Sequence, residues 1–162
     1  MLGDRFGIIP KMYPVIALDL ETTGLDPRRD AIIEIGAVCF DGEKIIGKWQ
    51  SLVNPQRPVP AMITQLTGIN SQMVIQAPVI KDVIQDFADF VGDLPVIGHN
   101  VSFDLSFLKN HIPLQNNPVN DTFEIASVLL PTAPRYSLSA LVERFFLVNE
   151  NPHRAEDDAA AT

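Results

Sequence analysis

Apolar residues in the first third of the chain form three runs that are separated by short turns. The first run opens a strand over residues 15–21, the second is the almost continuous apolar stretch 32–40, and the third covers residues 44–53. Asp41 and Gly42, between the second and third runs, are typical of a β-hairpin turn. Three consecutive strands with short connections predict an antiparallel meander.

The remaining chain alternates between helical and strand-like patterns. Residues 54–60 contain three prolines and are expected to form a loop. Apolar residues at Val79, Val83 and Phe87 recur at helical spacing, which predicts a helix over residues 78–91. Similar patterns predict helices at 61–66, 101–111, 122–130 and 137–146, and short strands at 95–98 and 120–121. Together these elements predict one mixed α/β sheet that is flanked by helices.

A length of 162 residues with 46% hydrophobic content suits one domain of ordinary size. We assign residues 13–162 to this domain and residues 1–12 to an N-terminal tail. No signal peptide or membrane span is predicted, and the single cysteine, Cys39, is expected to be a buried core residue of a cytoplasmic protein. Because residues 159–162 continue a helical pattern, we expect the closing helix to be truncated and the chain to be part of a longer protein.

The formal net charge of −8 is unusual for a protein that binds nucleic acid, because such proteins usually present a basic surface. Carboxylates that held two divalent cations would lose half of that excess charge. Even then, contacts to phosphates would be weak. We therefore expect a neighbouring domain or subunit to assist any binding of nucleic acid.

Asp19 and Glu21 are the first acidic residues whose spacing indicates a chemical role. They stand two positions apart on the first predicted strand, and alternate residues of a strand project from the same face. Two neighbouring carboxylates repel each other unless a cation lies between them, and oxygen ligands favour Mg²⁺ or Mn²⁺. A solvated edge strand is the alternative explanation of the pair.

Asp104 belongs to a second short motif, residues 98–104, and lies in the first turn of a predicted helix. A lone aspartate at this position is more often explained by its favourable interaction with the helix dipole. His99, in the same motif, is by itself more typical of a core histidine with satisfied hydrogen bonds than of a metal ligand.

Near the end of the chain, His153 precedes two aspartates, Asp157 and Asp158. Histidine is the usual general base near neutral pH. Asn151 and Pro152 predict the start of a helix, and helix geometry would pair His153 with Asp157 at i+4 rather than with Asp158 at i+5. Spacing alone leaves both aspartates open, and an acidic first turn of a surface helix is the alternative to a site.

The three motifs occur in a fixed order along the chain. They read Asp19-Leu20-Glu21-Thr22-Thr23-Gly24-Leu25, His99-Asn100-x-x-Phe103-Asp104 and His153-x-x-x-x-Asp158, and they are accompanied by Ile33-Glu34-Ile35-Gly36-Ala37, Leu66-Thr67-Gly68-Ile69 and Asp121-Thr122. This set resembles the pattern of the DEDDh family of 3′→5′ exonucleases, which includes the proofreading epsilon subunit of bacterial DNA polymerase III. The similarity extends over about residues 13–162.

This resemblance implies an α/β, ribonuclease H-like fold, in which an antiparallel three-strand meander is followed by parallel strands and helices flank the mixed sheet. It also implies two Mg²⁺ or Mn²⁺ ions as cofactors, it selects Asp158 over Asp157 as a ligand, and it makes His153 the general base. The expected metal ligands are Asp19, Glu21, Asp104 and Asp158, with Asp19 shared by both ions. The residues expected to contact the terminal nucleotide are Thr22, Leu66, Thr67, Asn100 and Phe103.

The expected activity is hydrolysis of phosphodiester bonds at a single-stranded or frayed 3′ end of DNA or RNA, with release of nucleoside monophosphates and little sequence preference. A polymerase or helicase, fused or in a complex, is the expected protein partner, and no membrane partner is expected. The alternatives are an RNA-trimming enzyme of the same family, a non-catalytic docking domain of a polymerase or helicase, and a structural metal site. Structural sites usually have Cys and His ligands, whereas this set consists almost entirely of carboxylates.

Overall fold

A mixed sheet of five strands in the order β3-β2-β1-β4-β5 is the centre of the structure, a computed structural model that describes residues 13–112, 114, 116–149 and 151–162. The predicted tail, residues 1–12, lies outside the described residues. The strands are β1 (Val15–Thr22), β2 (Ile32–Asp41), β3 (Lys44–Leu52), β4 (Val96–Gly98) and β5 (Val119–Asp121). The helices are α1 (Ala61–Thr67), α2 (Ser71–Val74), α3 (Ile80–Val91), α4 (Ser102–Leu108), α5 (Thr122–Leu129), α6 (Leu138–Phe145) and α7 (Ala155–Ala161).

Strand direction changes at β1. This strand pairs with β2 in antiparallel orientation and with β4 in parallel orientation. The pairing of β2 with β3 is antiparallel, and that of β4 with β5 is parallel. The predicted meander followed by parallel strands, flanked by helices, is therefore confirmed.

Helices cover both faces of the central strands, which explains the continuous apolar run of β2. The first eight of its ten residues are buried, as expected for a strand without a solvent face. On one face Ile35 joins the core cluster that contains Phe87 of α3. On the other face Val38 packs with Ala159 of α7. The predicted burial of Cys39 is also confirmed.

Polar caps set several helix boundaries. Ser137 caps α6 as predicted, with its hydroxyl accepting a hydrogen bond from the amide of Ala140. Asn70 caps the short helix α2, which the sequence pattern did not predict. The helix predicted to start at Asn151 and Pro152 begins instead at Ala155. The reason lies in the backbone: His153 has a φ of 66° and cannot continue an α-helix.

Within the described ranges, no helix is both long enough and apolar enough to cross a membrane. The longest of these helices, α3, has 12 residues, whereas a membrane span takes about 20.

Substitution of Gly36 in β2 tests how closely α7 packs on the sheet. A Cβ atom added at Gly36 would lie 2.2 Å from both the carbonyl carbon of Ala155 and the amide nitrogen of Glu156. Because these are backbone atoms, α7 must move, and we expect Gly36→Ala to lower the free energy of unfolding by about 1–3 kcal/mol or more. Gly47→Ala is the control, since its Cβ would meet the ring of Phe90 at 3.3 Å, a contact that a small ring movement relieves. Urea denaturation measures both, and equal effects would contradict the packing that we describe.

Candidate active site

The face of the central strands that α7 covers carries the first two acidic residues. In the antiparallel pair of β1 and β2, Asp19 stands opposite Gly36 and Glu21 stands opposite Glu34. Opposite residues of such a pair project to the same face of the sheet. Asp19 and Glu21 therefore both point toward the helix that carries the third motif, and both are half-buried.

Asp104 reaches the same strand from α4. Its side chain is only 4% exposed, and its Oδ1 atom accepts a hydrogen bond of 2.9 Å from the backbone amide of Leu20. Leu20 lies between Asp19 and Glu21, so this bond fixes Asp104 beside the acidic pair. Three of the four predicted ligands thus meet at the carboxyl end of β1.

Asp158 comes from α7 and is nearly buried, with 8% of its surface exposed. Its Oδ1 accepts a hydrogen bond of 2.7 Å from the side-chain amide of Asn149, and its Oδ2 accepts one of 3.0 Å from the backbone amide of His153. Ligand atoms of Glu21, His153 and Asp158 all lie within 4.8 Å of one another. These three residues could hold a metal ion together, and two of them belong to the predicted ligand set.

The structure also separates the two aspartates that spacing alone left open. His153 precedes α7 and has a left-handed backbone conformation, so the i+4 relation that holds inside a helix does not apply to it. The carboxylate of Asp157 instead accepts a hydrogen bond of 3.2 Å from the side chain of Asn151. Asp158, and not Asp157, is therefore the aspartate that lies beside His153.

Burial and mutual repulsion raise the proton affinity of this cluster. Burial, followed by repulsion from Asp104 and Glu21, raises the pKa of Asp19 well above its usual value. Burial and repulsion from Asp158 raise the pKa of Glu21 to about 8, and burial raises the pKa of Asp104 to about 7. A set of hard oxygen ligands that resist ionisation for lack of positive charge fits a divalent cation.

Asp121, which ends β5, orders the loop that leads to Asp104. Its Oδ1 accepts a hydrogen bond of 2.9 Å from the amide of Asn100, and its Oδ2 accepts one of 3.0 Å from the amide of Val101. Asn100 has a φ of 61°, a conformation in which asparagine is among the favoured side chains. Burial lowers the pKa of His99, whose Nδ1 lies 3.0 Å from the Thr122 hydroxyl.

The residues expected to contact the nucleotide differ in accessibility. Leu66 is 53% exposed at the end of α1, whereas Thr67 is buried and its hydroxyl bonds the carbonyl of Ile63 within that helix. Thr22 is also buried, and its hydroxyl donates to the carbonyl of Gly24. Phe103 packs against the core. Asn100 is exposed, like Leu66. The side chains of Thr22, Thr67 and Phe103 mainly support the local fold.

Two charged residues beside the cluster received no role from the sequence. Glu34 is fully buried, and both of its carboxylate oxygens accept hydrogen bonds from the guanidinium of Arg154. These bonds raise the pKa of Arg154. The available signal was a single carboxylate within the apolar run of β2, because a charge is rarely fully buried unless it is paired.

Known exonucleases are similar to this chain in sequence. The family model RNase_T, described as exonuclease, matches residues 16–162. The chain is 39% identical over 152 residues to the PolC-type DNA polymerase III of Latilactobacillus sakei subsp. sakei (strain 23K), which covers 91% of the chain and 10% of the polymerase. It is 37% identical over 155 residues to the 3′-5′ exonuclease DinG of Staphylococcus saprophyticus subsp. saprophyticus, which covers 93% of the chain and 17% of that protein. The chain thus spans only a small part of these relatives.

Solved structures give the same fold. Exonuclease X in complex with 5′ overhanging duplex DNA superposes with a TM-score of 0.74 at 29% identity, covering 91% of this chain and 87% of that one. Exonuclease I superposes with a TM-score of 0.80 at 21% identity, covering 92% of this chain and 39% of that one. The predicted ribonuclease H-like fold is confirmed.

The raised pKa values predict how pH acts on the metal-free protein. An unfolded chain releases the Glu21 proton near pH 4.5, whereas the folded protein holds it until about pH 8. Between these two pH values the unfolded state binds fewer protons than the folded state, so the free energy of unfolding falls as the pH rises. The stabilising contribution of Glu21 is fully present below about pH 4.5 and is lost by about pH 8. We expect the melting temperature in chelator to decrease from pH 5 to pH 8, and Glu21→Gln to flatten this slope. Asp86→Asn, an exposed carboxylate on α3, is the control, and an equal flattening by that variant would contradict the assignment.

Proposed function

This chain belongs to the RNase_T family of exonucleases, and from that membership we propose that it removes nucleotides from the 3′ end of DNA by metal-dependent hydrolysis of the phosphodiester bond. The observation that carries the proposal is the meeting of Asp19, Glu21, Asp104 and Asp158 with His153 at the carboxyl end of β1. A docking domain would need none of these five residues.

The four carboxylates are proposed to hold two ions, either Mg²⁺ or Mn²⁺. Asp19, at the centre of the mutual repulsion, would be shared, while Glu21 and Asp158 would complete one ion and Asp104 the other. When bound, such ions stabilise the negative charge on the attacking and leaving oxygens of a phosphodiester.

His153 is proposed to take the proton from the attacking water. Its side chain is exposed while its backbone amide is fixed to Asp158, so the imidazole is accessible to solvent on an anchored backbone. A neutral imidazole is needed for this role. A ring nitrogen of His153 also lies within 4.8 Å of carboxylate oxygens of Glu21 and Asp158. The rival role is therefore that of a metal ligand, and the two roles predict different effects of substituting His153.

DNA is proposed as the substrate because the relatives include DNA polymerase III and exonuclease X solved with overhanging duplex DNA. Leu66, exposed at the end of α1, is proposed to press on the terminal base, with Thr22, Thr67, Asn100 and Phe103 shaping the surface around it. An RNA-trimming enzyme is the second candidate, since the same chemistry cleaves either backbone.

An acidic chain needs help to hold an acidic substrate. The net charge of −8 opposes phosphate binding, and the relatives carry this domain within much longer polymerases and exonucleases. We therefore propose that a neighbouring polymerase or helicase domain supplies most of the affinity for DNA.

The proposed activity predicts a defined product pattern. With a single-stranded DNA labelled at its 5′ end and Mn²⁺ or Mg²⁺, we expect a descending ladder of shortened products and release of nucleoside monophosphates. Excess chelator should abolish the ladder, and Asp19→Asn should do the same with metal present. A matched RNA substrate separates the two candidate substrates by relative rate. Release of the 5′-terminal nucleotide first, or undiminished cleavage in chelator, would contradict the proposal.

Three variants in the last motif distinguish the base from the ligands. We expect His153→Ala to lower turnover by about 10²–10⁴-fold, as loss of a general base does, while Mn²⁺ affinity changes little. Asp158→Ala should weaken Mn²⁺ binding itself. Asp157→Ala is the matched control and should change neither, because its carboxylate pairs with Asn151. Calorimetric titration of Mn²⁺ beside a turnover assay tests all three, and a large loss of Mn²⁺ affinity in His153→Ala would make the histidine a ligand.

A further inference from the structure

We propose that Glu34 is a positioning residue, and that its ion pair with Arg154 fixes His153 and Asp158 in the arrangement that the reaction requires. The proposal rests on the proposed function for its catalytic consequence. The geometry on which it stands is independent of that function. We call the pair, together with the hydrogen bond from Ala155 described below, the Glu34 clamp.

Glu34 is a buried carboxylate with an almost complete set of donors. Its Oε1 accepts hydrogen bonds of 2.6 Å from Nη2 and 3.2 Å from Nε of Arg154, and a further bond of 3.0 Å from the side-chain amide of Gln50. Its Oε2 accepts bonds of 3.0 Å from Nε of Arg154 and 3.0 Å from the backbone amide of Ala155. No part of Glu34 is exposed, so its carboxylate depends on these donors in place of water.

The Glu34 clamp binds Arg154 and Ala155, which directly follow His153 at the start of the third motif. Arg154 is the N-cap residue of α7, and Ala155 is its first residue. The amide of Ala155 is among those at a helix start that lack a partner within the helix, so the bond to Glu34 both caps α7 and sets its position on the sheet. One residue earlier is His153, and one helical turn later is Asp158.

Hydrogen bonds on both sides of His153 define its backbone. Its backbone adopts a φ of 66°, a conformation that is unusual for a residue other than glycine and that persists where the surroundings impose it. The bonds of Glu34 to the next two residues impose it from one side, and the bond from the His153 amide to Asp158 imposes it from the other. The exposed imidazole therefore takes its direction from a buried carboxylate on β2.

A second ion pair joins α7 to the sheet and provides a matched control. Lys48 of β3 lies 2.6 Å from Glu156 of α7, with side-chain exposures of 49% and 24%. It attaches the same helix to β3 through Glu156, three residues after His153, whereas the clamp binds the two residues that directly follow His153. Loss of either pair loosens α7, whereas only loss of the clamp should displace the imidazole.

The test compares Glu34→Gln/Arg154→Met with Lys48→Met/Glu156→Gln in the 162-residue chain. The first double variant removes both charges of the pair at once, which avoids leaving the buried carboxylate or its partner unpaired. With saturating Mn²⁺ and single-stranded DNA, we expect its kcat to fall about 10- to 100-fold, the scale of a misplaced catalytic group, with KM changed by less than about threefold. Arg154→Lys should be intermediate, because an ammonium group cannot make the two-pronged contact. The control should retain kcat within about twofold.

Hydrogen exchange in the metal-free proteins gives a reading that does not depend on activity. We expect the amide of His153 to exchange faster in the clamp variant and to be unchanged in the control, while amides of β1 keep their protection in both. A clamp variant that retained its kcat and its His153 protection would overturn the proposal, as would an equal loss of kcat in the control. If the wild-type chain had no exonuclease activity, the proposed function would fail, and the exchange data alone would still decide whether Glu34 positions His153.

Discussion

Repulsion among carboxylates that share one buried site is the constraint on which the rest of the structure depends. Asp19, Glu21, Asp104 and Asp158 come from three segments and are brought together where burial makes ionisation costly. Such a cluster exists only if the surrounding fold is rigid enough to hold it, because each of these groups would be better solvated apart. The five-stranded sheet, covered by helices on both faces, provides that rigidity, and β1 lies at its centre.

Backbone amides fix several carboxylates in and beside this cluster. Leu20 donates to Asp104, His153 donates to Asp158, and Ala155 donates to Glu34. A carboxylate oxygen has two lone pairs, so an oxygen that accepts one amide bond can still bind a cation. Fixing the carboxylates through the main chain leaves their negative charge available, whereas pairing them with lysine or arginine side chains would neutralise it. In the described structure the guanidinium of Arg154 instead pairs with Glu34, beside the cluster.

The amino-acid sequence was sufficient to predict the fold class and the motifs. It was not sufficient to predict the contacts between distant segments that position those motifs. Apolar runs and turn residues predicted the meander and the parallel strands, because local patterns specify local elements. The positive φ of His153 could not be foreseen, since the two residues that follow it bind Glu34, which is 119 residues away from His153 along the chain, and its own amide binds Asp158. For the same reason helix rules alone could not choose between Asp157 and Asp158. The roles of Glu34 and Arg154 were missed although both residues lie in recognised motifs, because a pairing across the fold leaves no periodic signal.

The position of α7 in the chain has a consequence for biogenesis. This helix is the last of the described elements in sequence order, yet it packs on β1 and β2, which are the first of them. During synthesis the strands emerge long before the helix that covers one of their faces, so that face stays uncovered until α7 leaves the ribosome. The contacts between α7 and these strands have very large sequence separations, which slows their formation relative to local structure. A nascent chain therefore passes through a stage at which its sheet can form while the carboxylate cluster still lacks Asp158, which α7 carries.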